Sequence, residues 1–253
     1  PSGDVVFSSP ALTDAVTAWV HPVTDAVRGL LEQSRTGPED LEAAVVGMRG
    51  RRVVVIGETI VDTYVACDRP DVAGEAPVLS LRPIERRRFD GGAAVVARHA
   101  AALGARPVLV TPMPGGHDAE ALRLRLEIEG IDVRPVPVSG RLPEKQRFLV
   151  GGQKVMKLDP ERGLVVDEGA RRRAVEIALE AADGADAAIT CDFGAGLFTA
   201  PMIETLTRGL AERAVVTAGD VSGRRSHLTA MRRLDLLAPS EVEVRDALHD
   251  WQD

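Results

Sequence analysis

Several stretches of the sequence carry residues whose types and spacing could do chemistry. Asp62 lies just past a short apolar run that ends at Gly57. A carboxylate beyond the carboxyl end of a strand can accept hydrogen bonds from two hydroxyls, and its plainer use is a helix cap or a loop salt bridge. Gly91-Gly92 precede a stretch of small residues with helical character. Without side chains the backbone can close on a ligand with its N–H groups at a helix N-terminus, although a ligand-free tight turn uses the same pair. Lys145 and Arg147 are two apart, so a strand presents both on one face. Two cations there suit a phosphate, which arginine can grip bidentately, and a solvated charged face has the same pattern. Asp192 ends another apolar run and leads into Gly194 and Gly196, a common position for a site carboxylate in open α/β sheets. Ser240 and Glu243 stand where a helix begins, and an acidic residue in a first helical turn also complements the helix dipole with no ligand at all.

The elements that must position these residues follow from the hydrophobic pattern. Arg52-Val-Val-Val-Ile-Gly57 is a continuous β-branched run ending at glycine, which fits a strand buried on both faces of a parallel sheet. Similar runs recur at 107–111, 132–138, 187–191, 214–217 and 234–238, and helical periods occupy 93–103, 119–129, 169–182 and 201–213. Strands alternating with amphipathic helices predict a three-layer α/β domain with a parallel central sheet. Two stretches break the alternation: 64–82, with Pro70 and Pro77 and no helical period, and 145–158, with two strand-like pieces around Gly151-Gly152. Together they predict a small antiparallel sheet that acts as a lid excluding water. Residues 1–50 read as a helical extension. Its pieces are 11–20 and 23–31, broken by Pro22, and a helix opened by Thr36-Gly-Pro-Glu-Asp that stops near Gly50. The expected domain thus runs from 51 to 253.

Composition narrows the function classes. The chain has 253 residues with 31 Lys and Arg against 38 Asp and Glu, a net charge of −7. That acidic balance argues against general binding to nucleic acid or an anionic membrane, and no apolar run approaches the ~18 residues of a membrane helix. Cys67 and Cys191 make neither a zinc pattern nor a disulfide framework and read as buried thiols of a reducing cytoplasm. His21, His99, His117, His227 and His249 are too scattered to indicate a metal site.

Four segments, in this order, resemble the ribokinase-like (PfkB) family of sugar kinases, most closely its heptose 7-phosphate kinase branch. They are Gly57-Glu58-Thr-Ile-Val-Asp62-Thr-Tyr64 with Glu75-Ala-Pro77; Phe89-Asp90-Gly91-Gly92-Ala-Ala; Lys145-Gln-Arg147 leading to Lys157-Leu-Asp159; and Cys191-Asp192-Phe193-Gly-Ala-Gly196-Leu with Leu237-Ala-Pro239-Ser240-Glu-Val-Glu243. The resemblance covers roughly residues 52–250. It implies the ribokinase-like fold and ATP- and Mg²⁺-dependent phosphorylation of a sugar or sugar phosphate. Asp62 would hold sugar hydroxyls, with Gly91, Gly92 and Asp192 lining the sugar. Lys145 and Arg147 would grip a distal phosphate, Ser240 and Glu243 would lie on the nucleotide side, and Glu243 would help hold Mg²⁺. It also implies pairing of lids in a homodimer.

The departures are specific. The family's Asn after Gly-Gly falls near Val95 or Val96, the Lys of Asp-Tyr-x-Lys-Gly is lost from Asp192-Phe193-Gly194-Ala195-Gly196, and the Asn of Asn-x-x-Glu is Ser240. The Asp-Pro-Lys is replaced by Thr217-Ala-Gly-Asp220. The family's Gly-Ala-Gly-Asp, whose Asp is the general base, has no counterpart in these residues. With Pro1 at the start and no adenine-binding elements, the expectation is the N-terminal and middle part of a longer kinase. The alternative is a non-catalytic sugar-phosphate-binding or regulatory module.

Overall fold

A computed structural model of the chain describes residues 27, 29–31, 33, 34, 36–68, 71, 72, 79–159, 163–222 and 227–250. The helix expected at 11–20, part of the one at 23–31, the Glu75-Ala-Pro77 segment and residues 251–253 lie outside these. The chain divides into two units, Pro1–Met48 and Arg49–Asp253. In the first, helix α1 (Pro38–Gly47) starts where Pro38 follows an extended Gly37 whose N–H donates to Asp40 Oδ2 at 2.7 Å. Proline at the first helical position and the acidic first turn account for that start.

The second unit is built on a seven-stranded sheet. Strand β1 (Arg52–Gly57) lies at its centre. The chain then leaves the sheet for β2 (Thr59–Cys67), β3 (Asp71–Val72), β4 (Leu79–Ser80) and β5 (Pro83–Gly92). It returns through helix α2 (Ala93–Ala102), β6 (Arg106–Pro114), α3 (His117–Ile128) and β7 (Asp132–Gly140). A second excursion forms β8 (Glu144–Val150) and β9 (Gln153–Leu158). Then come β10 (Leu164–Val165), α4 (Glu168–Ala182), β11 (Ala187–Asp192), α5 (Ala200–Ala211), β12 (Val216–Val221), a 3₁₀ turn (Leu228–Ala230), β13 (Leu236–Leu237) and α6 (Glu241–Leu248). The sheet order is β10-β7-β6-β1-β11-β12-β13, parallel except for β10.

Both faces of β1 are apolar because both are covered. Val54 and Ile56 pack with Ala174, Ala178, Ile203 and Leu206 of α4 and α5. Val53 and Val55 pack with Ala93, Ala97, Leu122 and Leu126 of α2 and α3. Each wholly buried Ile or Leu here contributes roughly 1.5–3 kcal/mol of burial. The three-layer α/β architecture with a parallel central sheet, expected from the alternating pattern, is what forms. Among the described residues no helix is long and apolar enough to cross a membrane, and Cys67 and Cys191 are free and buried.

The lid is a four-stranded sheet in the order β5-β2-β8-β9. Its boundaries differ from the expected 64–82 and 145–158. The first lid strand begins at Thr59, directly after β1, and its hairpin partner is β5, which runs to Gly92. Asp62 is therefore a strand residue, not a loop residue. The central pair, β2 with β8, is parallel, and the two outer pairings are antiparallel. The parallel pair arises because the chain crosses the central sheet between the two strands.

Candidate functional site

Sheet order reverses at β1: β6 and β7 lie on one side and β11 to β13 on the other. In open α/β sheets ligands bind beyond the strand ends at such a switch point. Here Gly57 pairs with Cys191, and a Cβ at Gly57 would run into the Cys191 carbonyl, so only glycine lets the strand ends close up. Glu58 then turns the chain upward into β2. Its carbonyl accepts the Ala93 N–H at 2.9 Å, which seats the start of α2 on the strand-to-lid junction. Gly92, at φ 63°, has the Glu58 carbonyl where a Cβ would stand. Thr59 N–H donates to Thr111 Oγ1 at 3.2 Å, and their hydroxyls lie 3.0 Å apart, tying the same junction to β6.

One lid face gathers most of the residues singled out in the sequence. Asp62 pairs in register with Phe89 and Lys145, and Tyr64 with Arg87 and Arg147. Directly opposed residues share a face. Asp62 Oδ1 forms an ion pair with Arg147 Nη1. The Arg147 guanidinium also lies 5.3 Å from the Tyr64 ring centroid, and Tyr64 meets Phe89 edge-on with centroids 5.6 Å apart. This cation–π and aromatic contact fixes the fork of the arginine. Gly91 brings bare backbone against Asp62, since a Cβ there would strike Asp62 Oδ2. Lys145 is half-buried. Burial lowers its pKa, the nearby Lys157 lowers it further, and Asp159 and Asp62 oppose both. Lys157 stands in register with Arg147 and pairs with Asp159 at 2.9 Å. Tyr64, Phe89 and Lys157 were quoted in the sequence only as parts of motifs. Strand parity carried across the Gly151-Gly152 turn is the signal that could have placed Lys157 here.

Asp192 has a different situation. It is wholly buried at the end of β11, and both its oxygens are engaged by the chain itself. Oδ1 accepts from Gly194 N–H at 3.0 Å, while Oδ2 accepts from His227 N–H at 2.7 Å and lies 2.9 Å from His227 Nδ1. Glu58, also wholly buried, accepts from Phe193 N–H and Leu197 N–H at 3.0 and 3.1 Å. Burial raises the Glu58 pKa to about 7, with the Asp192 charge adding to it and the two backbone donors opposing. Neither Glu58 nor His227 was singled out by sequence reasoning.

Ser240 and Glu243 form the capping box of α6. Glu243 Oε2 accepts from Ser240 N–H and Oγ–H, each at 2.7 Å, and Ser240 Oγ accepts from Glu243 N–H at 3.4 Å. Ser240 thus serves as the helix cap. Asp220, on β12, has its pKa raised by burial and then by the Glu243 charge. Two carboxylate groups that repel one another fit a hard, oxygen-loving cation such as Mg²⁺. Among the described residues no cluster of three or more metal-ligating side chains occurs, so such an ion would complete its shell with water or phosphate oxygens. On the other lid face, Asp90 binds Arg98 and Arg125 at 2.9 and 2.8 Å, beside a cavity of about 430 Å³. Although burial works against it, these two arginines hold Asp90 below the usual carboxylate range.

Comparison with known proteins adds to this geometry. No family model matches the chain. It is 31% identical over 203 residues to the bifunctional protein HldE of Hyphomonas neptunium, covering 79% of this chain and 41% of that protein. It is 28% identical over 204 residues to HldE of Gluconobacter oxydans, covering 78% of the chain and 41% of the relative. The chain therefore spans about two fifths of these curated relatives. Among solved structures it resembles phosphofructokinase-2 from Escherichia coli in complex with fructose-6-phosphate, with a TM-score of 0.62, 20% identity, and coverage of 79% of this chain and 64% of that one. It also resembles a carbohydrate kinase from Agrobacterium tumefaciens, with a TM-score of 0.57, 17% identity, and coverage of 78% and 63%.

Proposed function

We propose that this chain, a relative of the HldE proteins with the ribokinase-like fold of carbohydrate kinases, is the sugar-holding part of an ATP- and Mg²⁺-dependent sugar-phosphate kinase. The observation that carries the reading is the cluster of Asp62, Gly91, Lys145 and Arg147 on one lid face. It puts a hydroxyl acceptor, bare backbone and two cations side by side.

Asp62, steadied by Arg147, accepts hydrogen bonds from sugar hydroxyls and orients the ring. The Gly91-Gly92 backbone lies along the sugar. Lys145 and the free part of the Arg147 fork hold a phosphate carried by the sugar. Asp192 supports the sugar site from beneath by ordering Gly194 and His227. Asp220 and Glu243 are the residues that would hold Mg²⁺, which supplies charge neutralisation to the nucleotide phosphates. By resemblance, the proton-accepting Asp belongs to a Gly-Ala-Gly-Asp segment that these 253 residues do not contain. The role assigned to this chain is therefore substrate holding. Such a kinase would work in the cytoplasm, where ATP is abundant. The exposed Ile84, Met156 and Leu158, on the lid face opposite Asp62 and Arg147, suit pairing with a second lid.

Calorimetric titration with D-glycero-D-manno-heptose 7-phosphate tests the reading. The phosphorylated sugar should bind, and Asp62→Ala should weaken that binding about 100-fold or more. Equal affinity for the sugar with and without its phosphate would overturn the role given to Lys145 and Arg147.

A further inference from the structure

Backbone groups from two separate parts of the site converge on Glu58. Its backbone carbonyl receives the Ala93 N–H and stands against Gly92, which fixes the Gly91-Gly92 end of β5. Its two carboxylate oxygens receive the N–H groups of Phe193 and Leu197, at either end of the glycine-containing loop that follows β11. Arg171 binds the same loop through its carbonyls, with Nε to Leu197 O at 3.0 Å and Nη2 to Gly196 O at 3.2 Å. Among the described residues no arginine or lysine forms an ion pair with Glu58. A wholly buried carboxylate without a cation is costly, and a glutamine would fill the same space.

We propose that Glu58 is a positioning residue whose ionised carboxylate holds the 193–197 loop in register with the Gly91-Gly92 end of β5, so that two backbone walls of the sugar site respond together to one buried charge. This inference rests on the sugar-site reading above.

The groups around Glu58 decide the direction of the effect. Asp192 adds negative charge from the end of β11, and His227 contacts that same carboxylate. The neighbouring Cys191 thiol is neutral, since burial raises its pKa and the Asp220 and Glu58 charges raise it further. When Glu58 is ionised, both oxygens accept. When it is protonated, one oxygen turns donor and one loop N–H loses its charge-assisted acceptor. The two loop donors lower the Glu58 pKa, so a local opening that removes them while Glu58 stays buried raises it further. The ionised form therefore favours the closed loop. With a pKa of about 7, the loop tightens as pH rises through neutrality, even though ionisation lowers the global stability.

The test uses the whole chain with no ligand first. Hydrogen-exchange protection factors of the Phe193 and Leu197 amides, corrected for intrinsic pH dependence, should be about tenfold higher at pH 8 than at pH 6. Glu58→Gln should abolish the difference, and His227→Gln should retain it. Circular dichroism melting would confirm that each variant is folded, and Glu58→Asp is a second probe that keeps the charge but shortens the reach. Calorimetry with D-glycero-D-manno-heptose 7-phosphate at pH 8 should then show affinity about tenfold weaker in Glu58→Gln. Protection that does not change with pH in the wild type, or that still changes in Glu58→Gln, overturns the positioning role. Switching protection in a wild type that binds no sugar phosphate overturns the sugar reading instead.

Discussion

Asp62 and Arg147 are 85 residues apart in sequence and form an ion pair across the two central strands of the lid. Both side chains are mostly buried, at 24% and 19% exposure, so the pair is shielded from the screening that makes surface pairs weak. Arg147 holds one oxygen of Asp62 and Gly91 crowds the other, so the carboxylate has one orientation. Removing it by Asp62→Ala should weaken sugar-phosphate binding about 100-fold or more, since hydrogen bonds to a charged group contribute roughly 1.5–3 kcal/mol each. Arg147→Lys keeps the charge but loses the fork and the contact with Tyr64, and a loss of about tenfold is expected. Calorimetric titration checks both, and wild-type affinity in Arg147→Lys would show that the fork is irrelevant.

The two glycines that end β5 should behave differently. A methyl group at Gly92 meets the Glu58 carbonyl at a φ of 63°, a conformation that costs an L-residue roughly 1–2 kcal/mol before the clash with rigid backbone is added. At Gly91 the obstacle is the movable Asp62 carboxylate. Gly92→Ala should therefore lower the melting temperature sharply. Gly91→Ala should melt near the wild type yet bind sugar phosphate poorly, because Asp62 is pushed from Arg147. Equal melting temperatures for the two variants would contradict this.

Lys145 should make phosphate binding sensitive to alkaline pH. Burial and Lys157 lower its pKa, so it loses its proton before an exposed lysine does. A bound phosphate favours the charged form, so binding at alkaline pH should take up a proton. Calorimetry in buffers of different ionisation enthalpy measures that uptake. Lys157→Ala should move the alkaline decline to higher pH, and Lys145→Met should abolish the uptake. Proton uptake that persists in Lys145→Met would assign the titration elsewhere.

Glu58 also predicts a stability profile. Its reference value is 4.5 and its folded value about 7, so between these pH values the folded chain binds more protons than the unfolded one. Its contribution is fully present below pH about 4.5 and declines as pH rises through about 7, then levels off. The span is on the order of 3 kcal/mol. Glu58→Gln has no such titration, so its melting temperature relative to the wild type should climb from pH 5 to pH 8. A constant difference across that range would refute it.

The parts of the fold legible in the sequence are those buried on both faces. The run at 52–57 coincides with β1, and the helices expected at 93–103 and 169–182 form at Ala93–Ala102 and Glu168–Ala182. The lid was harder to read. β5 carries Pro83 and Arg86-Arg87-Arg88, and its residues up to Phe89 are exposed on a sheet edge. No apolar alternation marks such a strand. In β2 the buried positions include Thr63, whose hydroxyl is satisfied by Glu144 Oε1 at 2.5 Å, so polarity obscures its period. Parity correctly puts Lys145 and Arg147 on one face, but their meeting with Asp62 depends on long-range register. Glu58 was illegible for a related reason: its donors, Phe193 and Leu197, lie 135 and 139 residues away.

The parallel pairing of β2 with β8 also bears on kinetics. Before those strands can meet, β5, α2, β6, α3 and β7 must be traversed and substantially docked, because a closure of that length costs entropy that only the packed core repays. The lid site should then be among the last features the chain acquires, with its contacts forming after the folding transition state. A ligand held between Asp62 and Arg147 should leave the refolding rate unchanged and slow unfolding, so its protection takes the form of a longer native lifetime.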